Sequence, residues 1–276
     1  MEIFSMTLTM DVLQMMQPSN NLHVQYIAER DAANTQLLIF DDEPDGPYFY
    51  LWSLFAKKQV VRLKNLSENT TLENIIVPLP GGSNTLWQGD WEINPCEGST
   101  NLNTFANLVL DLYGIEKILP RQNDKIIFTF INRVSGRRLV DMEEYLDQLS
   151  KMFPQVKIQS IDFAAISYKD QLQIIQNTDI FAGIHGAGLT HGIFLPPGSA
   201  MVEILPYNLN HKGFRNLAAL RGHEYFSIHA SLNSHPIEKR GWNGDDVHIE
   251  IERFLDVMSV AIKSMYNKGL RNYGID

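Results

Sequence analysis

Residues 177–205 read NTDIFAGIHGAGLTHGIFLPPGSAMVEIL, and this stretch decides the fold. Residues 179–183 are predicted as a short buried strand, followed by the loop His185-Gly186-Ala187-Gly188, a helix over 189–195 and a second strand over 200–204. The small side chains let the loop turn sharply and let its backbone approach a ligand closely. The first N–H groups of the helix face the loop, which suits an anion such as a phosphate.

Short apolar runs alternate with helical patterns on both sides of this stretch. We predict strands at 125–131, 156–161 and 224–228, and helices at 142–152, 168–176, 214–221 and 247–266. This alternation predicts an α/β fold with a parallel sheet and helices on both of its faces. Ligands bind beyond the carboxyl ends of such strands, so the glycine loop and the loop after residue 131 should converge.

The chain is long enough for two domains. It has 276 residues, of which 44% are hydrophobic and 20% charged, as in ordinary globular proteins. We place the border near 118–124, which gives domains 1–120 and 121–276. The first is predicted to contain helices at 1–17, 48–56 and 104–113 and strands at 36–40 and 60–63. Since a mostly buried helix begins at the first residue, we expect an upstream part of this domain to be missing.

Charge and cysteine content exclude several classes of protein. The formal net charge of -9 argues against binding to nucleic acid or an anionic membrane surface, which needs clustered positive charge. The single cysteine, Cys96, excludes an internal disulfide and a cysteine-rich zinc site. No apolar run reaches the ~18 residues of a membrane span, so no membrane anchor is expected in this chain. The glycosylation acceptors Asn65-Leu66-Ser67 and Asn69-Thr70-Thr71 favour a surface loop of a secretory-pathway protein.

Three arginines crowd the loop after residue 131: Arg133, Arg137 and Arg138. Guanidinium groups at the carboxyl end of a strand can bind a diphosphate and stabilise the charge that develops on a phosphate leaving group. The alternative is that they pair with surface carboxylates. We favour the ligand because an otherwise acidic protein concentrates its positive charge here. Asp141, a little further on, is predicted as the cap of the next helix.

Three further polar residues are candidates for the same site. Glu203 lies in an apolar strand, where a buried carboxylate needs a partner: a ribose diol, or a neighbouring arginine. His185 and His191 are predicted as hydrogen-bond donors to phosphate or sugar, although a buried histidine at a helical position, such as His191, is as often structural. Their spacing does not suit a metal site. The acidic turn 41–46 could hold a divalent cation, but we favour a solvated loop.

Several motifs in order resemble glycosyltransferase family 61, most closely its branch of EGF-domain-specific O-linked N-acetylglucosamine transferases. The resemblance runs from about residue 126 to 225. It rests on Arg133, RRLVD at 137–141, DQL at 170–172, NTDIFAGIHGAGLTH at 177–191, LP at 195–196, and Val202-Glu203. It implies a GT-B architecture of two Rossmann-like domains, the first incomplete here, with a nucleotide sugar bound by the second. Which of Arg137 and Arg138 serves the donor is left open by the spacing.

The resemblance also implies an inverting transfer in the lumen of the endoplasmic reticulum or Golgi. The donor expected is UDP-N-acetylglucosamine and the acceptor a protein or glycan hydroxyl. Arg133, Arg137 or Arg138, the loop 185–191 (His185, Gly186, Ala187, Gly188, Leu189, Thr190 and His191) and Glu203 would bind the donor. No metal or other cofactor would be required. Glu2 is the candidate general base, and Asp41, Asp42 and Asp45 are weaker ones. UDP-xylose transfer and a noncatalytic nucleotide-binding module remain alternatives.

Overall fold

A computed structural model describes residues 2–17, 25–46, 48–79, 90–118, 125–134, 136–232 and 245–267. The chain forms two compact units, Met1–Gln88 and Gly89–Asp276. This division lies earlier in the chain than the border that we placed near residue 120. The reason is the helix that follows residue 99, whose buried side belongs to the second unit.

The described residues of the first unit form three α-helices, a short 3₁₀ helix (Leu63–Asn65) and a small parallel sheet. Its helices are α1 (Glu2–Met15), α2 (Glu29–Ala32) and α3 (Tyr50–Phe55), and strands β1 (Leu38–Ile39) and β2 (Val61–Arg62) pair in parallel. The prediction of a mostly buried first helix was wrong. Only Ile3, Phe4 and Ser5 are buried, while Met15 is 69% exposed. The apolar residues of this helix do not form one stripe, so its sequence does not indicate which side is buried.

The described part of the second unit is built on five parallel strands, as the α/β alternation predicted. They are β3 (Ile127–Asn132), β4 (Lys157–Asp162), β5 (Ile180–Ile184), β6 (Ala200–Leu205) and β7 (Glu224–His229), in the order β4-β3-β5-β6-β7. From β3 the chain moves first to one side, to β4, and then to the other side, to β5. The topological switch point of the sheet therefore lies between β3 and β5.

Helices cover both faces of this sheet. Helices α5 (Met142–Met152) and α8 (Ile251–Asn267) pack on the face that carries Phe128, Ala182 and Val202. Helices α6 (Tyr168–Gln176) and α7 (Gly213–Arg221) pack against a helix that we call the loop helix (Ala187–Phe194), which follows β5. Because strand side chains alternate, Glu203 belongs to the face opposite Val202.

Helix α4 (Thr100–Leu112) explains the early border. Its buried residues Leu102, Ala106, Val109 and Leu110 form one stripe, and the helix packs against the loop helix and α7. The amphipathic pattern predicted the helix but not the surface that it packs against, because many surfaces can bury an apolar stripe.

Two local predictions differ from the structure. The loop helix is a 3₁₀ helix, and it begins at Ala187 rather than Leu189. Glycines at 186, 188 and 192 weaken the α-helical preference of this segment. Asp141 precedes α5 but makes no capping hydrogen bond, because its backbone is left-handed (φ 59°) rather than extended.

Candidate nucleotide-sugar site

The candidate site lies at the switch point, where the loops after β3 and β5 meet. The arginine loop follows Asn132 at the end of β3, and His185 and Gly186 follow Ile184 at the end of β5. The two strands are hydrogen-bonded neighbours, with Ile131 beside Gly183. The predicted convergence of the two loops is confirmed, since the Arg137 side chain donates to the carbonyl oxygen of His185.

Two guanidinium groups converge on Gly186. Arg137 Nη1 donates to the His185 carbonyl at 2.8 Å, and Arg133 Nε donates to the Gly136 carbonyl at 3.0 Å. A methyl group built on Gly186 would lie 2.9 Å from Arg133 Nη1 and 3.2 Å from Arg137 Nη2. Burial and the nearby charge of Arg133 lower the pKa of Arg137. The loop thus holds two like charges around one peptide, an arrangement that a bound anion stabilises.

Gly186 and Arg137 have backbone dihedral angles that residues with a side chain rarely adopt. Gly186 has φ 156° and ψ 176°, a region essentially reserved for glycine, and Arg137 is left-handed with φ 51°. A left-handed arginine costs about 1 kcal/mol, which the surrounding contacts must offset. Such strain is typical of ligand-binding loops. Here its effect is to aim the Arg137 side chain at the loop after β5.

Arg138 points elsewhere. Its guanidinium donates to Asp246, with Nη2 2.6 Å from Oδ2, and its side chain is 57% exposed. The first cause of the raised pKa of Arg138 is this hydrogen bond to Asp246. Of the two adjacent arginines, Arg137 joins Arg133 at Gly186, and Arg138 makes the surface ion pair that we considered as the alternative.

Glu203 is held from two sides inside the protein. It is 1% exposed, and its Oε1 lies 2.5 Å from His185 Nδ1. Its Oε2 accepts a hydrogen bond from the hydroxyl of Tyr225 at 2.5 Å. Burial, followed by the charge of Glu203, raises the pKa of Tyr225, so the phenol remains a donor. Both carboxylate oxygens thus have protein partners, neither of them an arginine, and the binding of a ribose diol by Glu203 stays a prediction.

The carboxylate determines how the His185 ring is protonated. A carboxylate accepts only, so His185 Nδ1 donates its proton to Glu203. Since His185 directly precedes Gly186, Glu203 and Tyr225 orient an imidazole beside the two arginines. The sequence gave no sign of Tyr225, although its place in β7, two residues before the register partner of Glu203, puts it on the same face.

A second histidine packs against the first. The ring centroids of His185 and His211 are 4.7 Å apart, and His211 Nε2 lies 3.0 Å from Asp90 Oδ2. His211 Nδ1 accepts from the Gly213 backbone at 3.1 Å, so Nε2 carries the proton toward Asp90. Burial, then the charge of His185, lowers the pKa of His211, while Asp90 and Glu203 act in the opposite direction.

His191 lies in the interior rather than at the loop. Its Nδ1 is 3.0 Å from the Gly188 carbonyl, and its Nε2 is 2.7 Å from Gln171 Oε1. The ring packs on Phe163 at 4.9 Å. Burial lowers the pKa of His191 to about 4. The geometry favours the structural alternative for this residue.

The other predicted residues fall into distinct environments. Ala187 is exposed, Gly188 and Thr190 are partly buried, and Leu189 belongs to the core. Glu2 is an exposed residue of α1 in the first unit, and its role as a base stays a prediction. In the acidic turn 41–46, Arg62 pairs with Asp41 and Asp45. Within the described ranges, no three His, Cys, Asp or Glu side chains are grouped as metal ligands.

Comparison with known protein families assigns the chain. The family profile described as Glycosyltransferase 61 matches residues 34–202, more than half of the 276 residues. The chain belongs to glycosyltransferase family 61. The matched range includes β3, β4 and β5, and with them the arginine loop and the glycine loop. It ends at residue 202, within β6 and one residue before Glu203.

Individual named proteins are similar over most of this chain. "EGF domain-specific O-linked N-acetylglucosamine transferase" of Drosophila melanogaster is 30% identical over 196 residues, 70% of this chain and 37% of that protein. The Pan troglodytes protein of the same name is 30% identical over 228 residues, 79% of this chain and 43% of that protein. The Mus musculus protein is 27% identical over 192 residues, 68% of this chain and 36% of that protein. The chain thus spans about two-fifths of the length of these relatives.

Proposed function

We propose that this chain binds a UDP-sugar and takes part in transfer of the sugar to a hydroxyl group of a protein or glycan. The donor we propose is UDP-N-acetylglucosamine, the sugar in the names of the relatives. The convergence of Arg133 and Arg137 on Gly186 carries the proposal. The two charges lie at the switch point of a parallel sheet, where such folds bind nucleotides.

The reaction we propose is a single displacement with inversion. The acceptor oxygen attacks the anomeric carbon, the bond from that carbon to the diphosphate oxygen breaks, and UDP departs with the bonding electrons. Arg133 and Arg137 stabilise the negative charge that develops on the diphosphate, which is the part of the chemistry that a divalent cation otherwise supplies. The acceptor proton passes to a base, for which Glu2 is our candidate.

The wider setting is part of the same proposal. We propose a GT-B arrangement of two Rossmann-like domains and a location in the lumen of the endoplasmic reticulum or Golgi. In support, both glycosylation acceptors, Asn65 and Asn69, are exposed. Among the described residues, no helix is both long and apolar enough to cross a bilayer.

Calorimetric titration with UDP, UDP-N-acetylglucosamine and UDP-xylose tests the proposal. Arg137→Ala should weaken UDP binding about tenfold or more, since hydrogen bonds to charged groups contribute roughly 1.5–3 kcal/mol. Arg138→Ala is the matched control, because it removes the same charge from the adjacent residue and should leave UDP affinity within about twofold at 0.15 M salt. Equal losses in the two variants, or no UDP binding by the unaltered chain, would contradict the proposal.

Turnover separates the remaining alternatives. Hydrolysis or transfer with UDP-N-acetylglucosamine, but not with UDP-xylose, supports the proposed donor. UDP binding without turnover of either sugar identifies this chain as a nucleotide-binding module that needs further parts for catalysis.

A further inference from the structure

An exposed tryptophan is connected to the loop after β5 through two histidine rings. Trp91 is 60% exposed, and its ring centroid is 5.5 Å from that of His211. The His211 ring is in turn 4.7 Å from His185, the residue before Gly186. Trp91, His211 and His185 therefore form an aromatic row that leads from the surface to the peptide on which the arginines converge.

Hydrogen bonds hold the Trp91 end of this row in place. The segment 90–98, which we call the strap, is bound to α7 and the residues before it. The Asn216 side chain accepts from the Asn94 backbone and donates to the Glu92 carbonyl, each at 2.9 Å. Asp90 also bonds His211, and the Gly98 backbone donates to the Ala219 carbonyl at 3.0 Å. An indole supported in this way can present its face without first being ordered by the ligand.

We propose that Trp91 stacks on the pyrimidine ring of the donor nucleotide. This inference rests on the proposed function, since it takes the diphosphate to be bound at Gly186. From there the nucleoside must extend along the surface, and the aromatic row offers a direction that ends on a large apolar ring. A planar base covers such a ring without requiring polar partners, and stacking of this kind is a common way of binding an unpaired base.

The same unit offers a second exposed ring as a rival position for the base. Tyr207 is 46% exposed and lines a cleft of about 580 Å³ together with Asn210, His229 and Arg253. This cleft lies at the carboxyl ends of β6 and β7, whereas the aromatic row leads to the end of β5. We favour Trp91 because its row of rings reaches His185 and because the indole is the larger stacking surface. Tyr207→Leu is therefore a matched control.

Titration of the whole chain with UDP and with inorganic pyrophosphate tests the stacking. Trp91→Leu should weaken UDP binding about tenfold, the order expected for one base–aromatic stack, and leave pyrophosphate binding unchanged. Trp91→Phe, which keeps a ring, should retain most of the UDP affinity. UDP should quench tryptophan fluorescence in the unaltered chain, which has four tryptophans, and this quenching should be lost in Trp91→Phe.

Each failure has a different signature. If the unaltered chain binds neither UDP nor pyrophosphate, the proposed function itself fails. If it binds both and Trp91→Leu, folded by thermal melting, binds UDP as before, the stacking is refuted. A loss in Tyr207→Leu instead would locate the base in the cleft, and a loss confined to UDP-sugars would mean that Trp91 contacts the sugar. Either result overturns the inference. If Trp91→Leu does not fold, UDP-dependent quenching that persists in Trp91→Phe overturns it as well.

Discussion

Replacement of Gly186 by alanine should weaken nucleotide binding at least tenfold, with a moderate loss of stability. The added methyl group would lie 2.9 Å from Arg133 Nη1 and 3.2 Å from Arg137 Nη2, so both guanidinium ends must move away from the position at which they converge. Loss of one charge-assisted hydrogen bond to the diphosphate costs about 1.5–3 kcal/mol, or roughly 10- to 150-fold in affinity. Forcing alanine to φ 156° destabilises the fold by about 1–3 kcal/mol.

Calorimetry with UDP and urea unfolding measure the two effects separately. Gly222→Ala is the control for strain, because Gly222 also has a positive φ (+70°) but a methyl group there would meet nothing within 4 Å. That variant should lose about 1 kcal/mol of stability and keep its UDP affinity. The reasoning is refuted if Gly186→Ala, still folded, binds UDP as tightly as the unaltered chain, or if Gly222→Ala loses affinity equally.

Three further predictions concern the groups around the site. Burial lowers the pKa of His191 to about 4, against about 6.5 in the unfolded chain. The contribution of neutral His191 to the free energy of unfolding is therefore complete above pH 6.5 and is lost as the pH falls toward 4. The free energy of unfolding measured in urea should fall by about 3 kcal/mol over this pH range. The fall should be smaller in His191→Gln, and an equal fall in the variant and the unaltered chain would contradict the prediction. Tyr225→Phe removes the hydroxyl bonded to buried Glu203 and should cost about 2 kcal/mol by urea unfolding, whereas the exposed Tyr207→Phe should cost less than about 0.5. Asn216→Ala breaks both hydrogen bonds to the strap and should cost roughly 2 kcal/mol in thermal or urea unfolding; an unchanged midpoint would show that the strap is held by other contacts.

Sequence patterns predicted the framework of the second unit closely. The helices predicted at 142–152 and 168–176 coincide with α5 and α6, because each carries a strong apolar stripe. The alternation of strands and helices was enough to bring the arginine loop and the glycine loop together. These features depend on local periodicity and on the general rules of parallel sheets.

The features of the site that the sequence did not predict depend on local backbone conformation or on contacts between residues far apart in the chain. Arg137 and Arg138 are adjacent and chemically identical, and the left-handed backbone at residue 137 separates their roles. The pairing of His211 with Asp90 joins positions 121 residues apart, a contact that no local pattern reports. Glu203 correctly looked like a carboxylate in need of a partner, but its partners, His185 and Tyr225, become neighbours only through the strand register.

The position of α4 has a practical consequence for dividing this chain. A recombinant piece that starts at residue 121 would keep strands β3 to β7. It would lack α4, and the surface of the loop helix and α7 that α4 covers would be exposed to solvent. It would also lose Asp90, and with it a hydrogen bond on His211. A piece that starts at residue 89 retains both. Of the two, the longer piece is the one to purify and titrate with nucleotide.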